Sequence, residues 1–88
     1  MSKTVTVSSQ FKRDLKKQYL LLVSPEWAEV LNTLANGGSL PEKYRNHPLK
    51  GDYSGYWECH VKPDLLLIYK AGDDGLLLAR LGTHSELF

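Results

Sequence analysis

Two short apolar segments separated by a polar turn limit what this chain can fold into. Residues 65–71 and 76–82 are apolar at nearly every position, and Gly72-Asp73-Asp74-Gly75 lies between them. Apolar runs of this length beside turn residues predict a β-hairpin whose strands are buried on both faces. Because both faces of this hairpin are apolar, both need a cover. A chain of 88 residues has only a thin core, so few residues are available to provide it.

Alternation of side chains along the two strands divides their apolar residues between two faces. The helices expected in the N-terminal half can cover one face of a small sheet. The opposite face is then covered either by the chain's own loop or by a second protein, and composition leaves both possibilities open. The alternation sets Leu65, Leu67 and Tyr69 against Leu66 and Ile68 on one strand, and Leu77, Ala79 and Leu81 against Leu76 and Leu78 on the other.

The N-terminal half has the pattern of one strand followed by two helices. Residues 3–8 alternate and are rich in β-branched side chains, which predicts a strand. Ser8 or Ser9 can cap the first helix, and Ser24-Pro25 starts the second, which Gly37-Gly38 ends. The apolar positions with helical spacing are Phe11, Leu15, Tyr19 and Leu22 in the first helix, and Trp27, Val30, Leu31 and Leu34 in the second.

The remaining residues complete the expected topology. Residues 39–53 contain two prolines and polar turn residues, so we expect a loop. Residues 56–62 have the pattern of a strand, which the turn Pro63-Asp64 joins to residues 65–71. The predicted order is β-α-α-β-β-β, an α+β fold with two helices on a mainly antiparallel sheet, and we expect residues 1–88 to form one domain.

Composition excludes several classes of protein. The single cysteine, Cys59, cannot form an internal disulfide, and a zinc site made of several cysteines is excluded. No apolar run approaches the ~20 residues that span a bilayer, and the first residues lack the apolar block of a signal peptide. We therefore expect a cytoplasmic protein that does not contact a membrane.

The net charge of +1 is unevenly distributed along the chain. Residues 1–23 contain five basic side chains and one acidic one, whereas the rest contains six basic and nine acidic ones. Lys12 and Lys16 are neighbours on the first helix, as are Arg13 and Lys17. Such a basic surface is usually a solvated helix face, and it would also suit contact with rRNA.

Three histidines and one arginine could carry chemistry. His47, His60 and His84 lie near predicted strand or loop ends, and Arg80 interrupts an apolar strand. Metal-free RNA cleavage needs a base for the ribose 2′-hydroxyl, an acid for the leaving 5′-oxygen and a cation for the phosphorane. Histidine suits both proton transfers, and the guanidinium fork of arginine suits the phosphate.

Each of these residues also has a structural interpretation. His47 is compatible with a solvated loop residue, and His60 with a half-buried residue that only forms hydrogen bonds. An unpaired charge in an apolar strand is costly, so Arg80 binds either a phosphate or the carboxylate of Glu58 or Asp64. No His-x-His or His-x₃-His spacing supports a histidine metal site, so we expect neither a metal nor another cofactor.

Three further residues, Trp57, Cys59 and Phe88, lie close to these candidates in the sequence. Trp57 and Cys59 alternate with His60 and are interpreted as packing residues. His84 and Phe88 belong to a short C-terminal tail, and such tails are often frayed. Phe88 either fills part of the core or stacks on a nucleobase.

The second half of the chain contains three short motifs: His47-Pro48-Leu49, then Glu58-Cys59-His60 with Pro63-Asp64, and finally Gly82-Thr83-His84-Ser85-Glu86-Leu87-Phe88. Together they resemble the YafQ-type toxins of the RelE superfamily. The likeness is close over residues 40–88 and extends to the N-terminal half in layout. It implies a RelE-like fold and an endoribonuclease that cleaves mRNA in the ribosomal A site without a metal, which inhibits protein synthesis.

The resemblance also implies roles for individual residues. His84 would be the general acid for the leaving oxygen, and Arg80 would stabilise the charge on the phosphate. His60 and Asp64 would supply or orient the base, and His47 would position the substrate or assist proton transfer. Which imidazole is base and which is acid stays open.

The sequence departs from the family pattern at two positions. Many relatives carry arginine where this chain has Trp57, and often tryptophan where it has Leu65. The missing tryptophan beside Asp64 would weaken the positioning of mRNA. The missing arginine removes a cation that could contact phosphate or antitoxin.

The resemblance further implies binding partners. Phe88 would orient a base of the mRNA, and Lys12 and Lys16 would contact rRNA. A cognate antitoxin would wrap the sheet and block the site, and the complex would bind DNA only through the antitoxin. The alternative is a catalytically weak antitoxin-binding module in an autoregulatory DNA-binding complex, and a third possibility is a free metal-dependent nuclease.

Overall fold

The computed structural model describes residues 2–88, which form a five-stranded sheet in the order β1-β5-β4-β3-β2. The strands are β1 (Thr4–Val7), β2 (His47–Pro48), β3 (Trp57–Lys62), β4 (Leu65–Ala71) and β5 (Gly75–Gly82). β1 runs parallel to β5, and the other three pairs are antiparallel. The predicted α+β class and the mainly antiparallel sheet are therefore confirmed.

Three α-helices accompany this sheet within the described residues: α1 (Ser9–Lys17), α2 (Pro25–Ala35) and α3 (His84–Leu87). The Ser8 hydroxyl caps α1 by accepting a hydrogen bond from the Phe11 amide at 2.9 Å. The Ser24 hydroxyl caps α2 by accepting one from the Trp27 amide at 3.2 Å. Both predicted helix starts are therefore confirmed. They could be predicted from the sequence because a cap involves only residues that are neighbours in the chain.

The first helix ends earlier than predicted. Gln18 leaves the helical conformation, with φ of −122°, and residues Tyr19–Val23 form a 3₁₀ helix. Three residues per turn shift the buried position, so Leu21 is buried and Leu22 is exposed. The prediction that Tyr19 and Leu22 continue the core-facing stripe was wrong.

Residues 39–53 are more regular than the predicted loop. They include 3₁₀ helices at Glu42–Tyr44 and Gly51–Tyr53, and between them the two-residue strand β2. Tyr44 is buried in the main core, and its hydroxyl donates a hydrogen bond to Glu29 of α2. These contacts explain why this segment has a defined position at the edge of the sheet.

The main core lies between one face of the sheet and the helices α1 and α2. Removal of this apolar surface from water is the principal stabilising contribution in a domain of this size. The buried core residues are Phe11, Leu21, Trp27, Val30, Leu34, Tyr44, Cys59, Val61, Leu65, Leu67, Tyr69, Leu76, Leu78 and Leu81.

The second face of the sheet is covered by the chain itself. Its buried side chains are Leu66, Ile68 and Ala79, and Leu87 of α3 packs on them. Partly buried side chains of the segment 49–56 complete the cluster. Of the two possibilities left open by the sequence, the structure shows the first: the chain's own loop, together with a terminal helix, buries this face.

A β-bulge in β5 changes which face Arg80 occupies. Ile68 pairs with Arg80, but the next residue of β4, Tyr69, pairs with Leu78, so Ala79 is the extra residue. Leu81 consequently packs in the main core together with Leu78. The predicted opposition of Leu81 to Leu78 was wrong, and Arg80 lies on the second face beside Ile68.

Among residues 2–88, no helix has both the length and the apolar character needed to cross a membrane.

Candidate functional site

Three of the predicted site residues, His47, His60 and Arg80, lie on the second face of the sheet. His47 and Arg80 are the two ends of one row of paired residues across this face. His47 pairs with Glu58, Glu58 with Ile68, and Ile68 with Arg80. Residues paired in this way point to the same face, and adjacent strands are about 4.8 Å apart, so the Cα atoms of Glu58 and Arg80 are separated by roughly 10 Å. His60, two residues after Glu58, points to the same face.

The Glu58 carboxylate lies between two imidazoles. Its Oε1 atom is 3.4 Å from Nε2 of His47 and 3.7 Å from Nε2 of His60. Glu58 is only 6% exposed, whereas both histidines remain accessible to solvent. The buried carboxylate of Glu58 restricts the orientation of both imidazoles.

A backbone contact fixes the other nitrogen of His47. Nδ1 of His47 donates a hydrogen bond to the carbonyl oxygen of Arg45 at 2.8 Å, because a carbonyl can only accept. Nε2 therefore faces Glu58, and this contact is attractive when Nε2 also carries a proton. Arg45 itself has the left-handed backbone conformation, with φ of 49°, which is uncommon for a residue other than glycine.

Arg80 is held by an acidic residue of α1. Its Nε and Nη2 atoms donate hydrogen bonds to the Asp14 carboxylate at 2.8 and 3.3 Å. The same carboxylate accepts a hydrogen bond from the Leu81 amide at 2.9 Å. Burial acts to raise the pKa of Asp14, but the hydrogen bonds from Arg80 and Leu81 outweigh it and lower the pKa below its ordinary value. The hydrogen bond to Asp14 in turn raises the pKa of Arg80.

The structural interpretation of Arg80 is therefore correct in kind but wrong in partner. The expected carboxylates were Glu58 or Asp64, and the observed one is Asp14. Two of the five guanidinium N–H donors bind Asp14, so others remain for a phosphate. An ion pair that leaves donors accessible can position an arginine as well as neutralise it.

His84 and Phe88 belong to an ordered C-terminal helix rather than a frayed tail. The Thr83 hydroxyl accepts a hydrogen bond from the Glu86 amide, and the Glu86 carboxylate accepts one from the Thr83 amide at 2.8 Å. This capping box and the burial of Leu87 fix α3 on the sheet. The expectation of fraying was wrong, although the sequence Thr-x-x-Glu is itself a capping signal.

Phe88 takes part in an aromatic cluster above the second face. Its ring centroid lies 5.2 Å from that of His84 and 5.8 Å from that of Tyr53. Phe88 nevertheless remains 55% exposed, so an aromatic surface is available beside the His84 imidazole. Of the two interpretations of Phe88, the exposed ring fits stacking on a base better than filling the core.

Asp64 lies in the turn between β3 and β4. Leu66 pairs with Gly82 in antiparallel strands, so Asp64, two residues before Leu66, and His84, two residues after Gly82, lie at the same end of the sheet. Asp64 is exposed, and its side chain forms no hydrogen bond or ion pair with any of residues 2–88. Its role beside His60 stays a prediction.

The basic surface of α1 is exposed as expected. Lys12 and Lys16 are both accessible to solvent. The charge of Lys17 contributes to the lowered pKa of Asp14 and of Glu86, so the C-terminal end of α1 lies near Arg80 and α3. Contact of Lys12 and Lys16 with rRNA stays a prediction.

The two positions that depart from the family pattern lie away from the histidine face. Trp57 pairs with Tyr69 and borders a cleft of about 650 Å³ on the side covered by helices. Leu65 is buried in the main core, as is Cys59. Burial raises the pKa of the Cys59 thiol to about 12, which agrees with its interpretation as a packing residue.

Two contributors to the site were not assigned from the sequence. Asp14 is 66 residues from Arg80 in the chain, and no local pattern connects them. Tyr53 packs against Phe88 and contributes to the raised pKa of Arg80, although it was placed in a predicted loop. Within the part of the chain that the structure describes, no three His, Cys, Asp or Glu side chains are arranged to hold a metal ion.

The fold and the site define the class of this protein. Two helices cover one face of a mainly antiparallel sheet, and histidines and an arginine occupy the other, as expected of a RelE-like toxin domain. Residues 3–88 match the family described as the bacterial toxin YafQ of type II toxin–antitoxin systems, and the chain belongs to this family.

Individual relatives agree with this assignment. The mRNA interferase toxin YafQ of Escherichia coli K12 is 40% identical over 88 residues, which cover 99% of this chain and 86% of the relative. A metal-bound toxin from Helicobacter pylori is 42% identical with a TM-score of 0.86, and all of both chains is covered. The E. coli DinJ–YafQ toxin–antitoxin complex contains a chain that is 34% identical, with a TM-score of 0.85 and coverage of 100% of this chain and 99% of the other.

Proposed function

We propose that this chain is an endoribonuclease that cleaves mRNA on translating ribosomes and is held inactive by a cognate antitoxin. The observation that carries the proposal is the placement of His47, His60 and Arg80 on one sheet face, with His84 at the end of that face. Relatives that match along the whole chain are named mRNA interferase toxins, and a related YafQ is found in complex with DinJ.

The proposed reaction is attack by the ribose 2′-oxygen on the adjacent phosphorus. A base removes the 2′-hydroxyl proton, the bond from the 2′-oxygen to phosphorus forms, and the bond from phosphorus to the 5′-oxygen breaks. An acid protonates the leaving 5′-oxygen. The products are a 2′,3′-cyclic phosphate and a free 5′-hydroxyl, and no other reactant is consumed.

The separate positions of His60 and His84 suit two different roles, one as the general base and the other as the general acid. His60 would act as the base, with the Glu58 carboxylate restricting its orientation. His84, at the start of α3, would protonate the leaving oxygen. Proton transfer by a positioned side chain typically accelerates a reaction by about 10²–10⁴-fold.

The phosphate would lie beside Arg80. Asp14 fixes the Nε side of the guanidinium, and the remaining N–H groups would stabilise charge as it develops on the phosphorane. His47 would position the substrate beside Glu58. Phe88 would stack on a base of the mRNA, because its ring is exposed next to His84.

Other contacts would bring the enzyme to its substrate. Asp64, in the turn of the β3–β4 hairpin, would help to orient the general base, His60. Lys12 and Lys16 would contact rRNA through their exposed charges. DNA would be bound only indirectly, through the antitoxin.

The test is cleavage of a translated message, mapped by primer extension, with purified wild-type protein and the variants His84→Ala and Arg80→Ala. We expect cuts from the wild type and a loss of about 100-fold or more in each variant. Ser85→Ala is the matched control, because it alters an exposed neighbour in α3 and retains His84.

Antitoxin binding separates loss of chemistry from loss of folding. Variants that bind antitoxin as the wild type does, but no longer cleave, support the assigned site. A folded wild type that binds antitoxin and cuts no translated mRNA contradicts the enzyme. The antitoxin-binding module would then be the better description.

A further inference from the structure

A basic groove opens beside His60 at the edge of β3. It has a volume of about 490 Å³, and His60 contributes to its wall. The other residues that line it include three cations, Lys43, Arg45 and Lys62, against one carboxylate, Glu26. The groove therefore carries an excess of positive charge directly next to an imidazole that we assign to catalysis.

The sheet topology explains why a groove exists here. β2 has only two residues and pairs with β3 only at Trp57 and Glu58. Beyond these positions, no strand formed by residues 2–88 lies beside the outer edge of β3, and the 3₁₀ helix Glu42–Tyr44 lies there instead. A short edge strand followed by a 3₁₀ helix leaves room for a ligand along the remaining edge of the sheet.

A β-bulge brings Lys62 to this edge. His60 pairs with Leu66 but Lys62 pairs with Leu65, so Val61 is the extra residue. Leu66 and Leu65 lie on opposite faces of the sheet, and His60 and Lys62 accordingly reach the groove from different faces. The side chains of His60 and Lys62 thus both line the groove.

The cations differ in how far they are already neutralised. Lys43 forms an ion pair with Glu29, with 3.4 Å between Nζ and Oε1. Arg45 and Lys62 form no ion pair within residues 2–88, and both are exposed. Arg45 also has the left-handed conformation at the end of the 3₁₀ helix, and its carbonyl binds Nδ1 of His47.

We propose that this groove binds the phosphate backbone of the RNA strand that flanks the cleaved phosphate, through Arg45 and Lys62. The inference rests on the proposed function for the identity of the polyanion. Two accessible cations beside His60 would hold one flank of the strand in register with the catalytic face. The groove thereby adds a substrate contact distinct from the basic surface of α1.

The test uses a short oligoribonucleotide with 2′-O-methyl groups, which lacks the attacking hydroxyl and cannot be cleaved. Fluorescence anisotropy gives its affinity as a function of salt concentration. Each phosphate contact with a single strand contributes about 0.7 to the slope of log K against log salt. Loss of both contacts should reduce the magnitude of the slope by about 1.4, so the affinity ratio of wild type to double variant should be about 25-fold larger at 0.1 M than at 1 M salt.

The variants are Arg45→Asn and Lys62→Gln, singly and together. Asparagine tolerates the left-handed backbone of position 45, so the guanidinium is removed while the carbonyl contact to His47 is retained. Lys70→Gln is the control, because it removes one exposed charge outside both the groove and the basic surface of α1. Thermal unfolding confirms that each variant is folded.

The outcomes separate this inference from the proposed function. An unchanged slope in the double variant, or an equal loss in Lys70→Gln, overturns the groove even if the wild type cleaves mRNA. A reduced slope with a wild type that cuts no message supports the groove and contradicts the nuclease. Weaker antitoxin binding with an unchanged RNA slope assigns the groove to a protein and overturns the inference.

Discussion

Replacement of Asp14 by asparagine tests whether α1 positions Arg80. The carboxylate accepts hydrogen bonds from Nε and Nη2 of Arg80 and from the Leu81 amide. An asparagine side chain keeps one acceptor oxygen, and its NH₂ group would face another donor. Hydrogen bonds to charged groups contribute about 1.5–3 kcal/mol each. One of the three is long and the pair is partly exposed, so we expect Asp14→Asn to lower the free energy of unfolding by about 2–3 kcal/mol in total.

The same change should reduce cleavage by misplacing the guanidinium. Removal of one preorganised donor from a developing anion costs about 10²–10³ in kcat, and we expect this for Arg80→Gln. Asp14→Asn leaves Arg80 present but less restricted, so we expect a smaller loss of about 10-fold to 100-fold. Because Asp14 acts through Arg80, kcat should fall more than KM rises.

Urea unfolding and single-turnover cleavage measure the two effects separately. Asp52→Asn is the matched control, since it makes the same chemical change at an exposed carboxylate of the 3₁₀ helix Gly51–Tyr53. The double variant Asp14→Asn with Arg80→Gln should lose little more activity than Arg80→Gln alone. Additive losses, or an Asp14→Asn protein with wild-type stability and cleavage, would refute the positioning role.

The pH dependence of stability gives a further check on the Asp14 interaction. The pKa of Asp14 is lower in the folded protein than its ordinary value of 3.8. Its contribution to stability is therefore complete above the unfolded pKa and is lost as pH falls through the folded pKa. Wild type and Asp14→Asn should converge in stability below about pH 4, and a constant difference down to pH 2 would contradict this cause.

Four further expectations concern the same face of the sheet. Glu58→Gln removes the charge between two imidazoles and should slow single-turnover cleavage by about 10-fold to 100-fold; unchanged cleavage would exclude it from the mechanism. In Gly82→Ala the new Cβ would lie 3.1 Å from Oε1 of Glu86 and 3.3 Å from Cδ2 of Leu87, so α3 should shift and cleavage should fall. Gly72→Ala, with no atom within 4 Å of the new Cβ, should retain cleavage. Trp57→Arg should leave cleavage unchanged, because position 57 borders the opposite face. Toxin treated with a chelator that is then removed should cleave as before, and loss restored by a metal would require a different mechanism.

Most of the fold could be predicted from local patterns. The start of α2 at Pro25 follows from Ser24, whose hydroxyl caps the helix, and the turn Gly72-Asp73-Asp74-Gly75 separates β4 from β5 as expected. The end of α1 could not be predicted in this way, because the apolar spacing continues to Leu22 although the helix ends at Lys17. Periodicity indicates which face is buried, but the change to a 3₁₀ helix depends on how the next segment packs.

The pairing of the sheet needed information that neighbouring residues do not contain. Hairpin turns predict antiparallel neighbours for β3, β4 and β5, as observed. β1 reaches β5 across the whole chain and pairs in parallel, which no turn specifies. The segment 49–56 covers the second face through Leu49, Tyr53 and Tyr56, although its composition is typical of a surface loop.

The site was predictable in its residue types but not in its geometry. Histidine and arginine at these positions indicated acid–base chemistry on a phosphate, yet strict alternation would place Arg80 on the helix-covered side with Leu78. The bulge at Ala79 reverses this assignment, and Asp14 then fixes the guanidinium from a helix 66 residues away. A bulge inserts one residue and shifts the alternation of the residues that follow it, and a long-range ion pair joins residues far apart in the chain, so local sequence patterns reveal neither. The bulge and the ion pair determine which face bears the chemistry, and for this reason only the folded arrangement shows that His47, His60 and Arg80 share one surface.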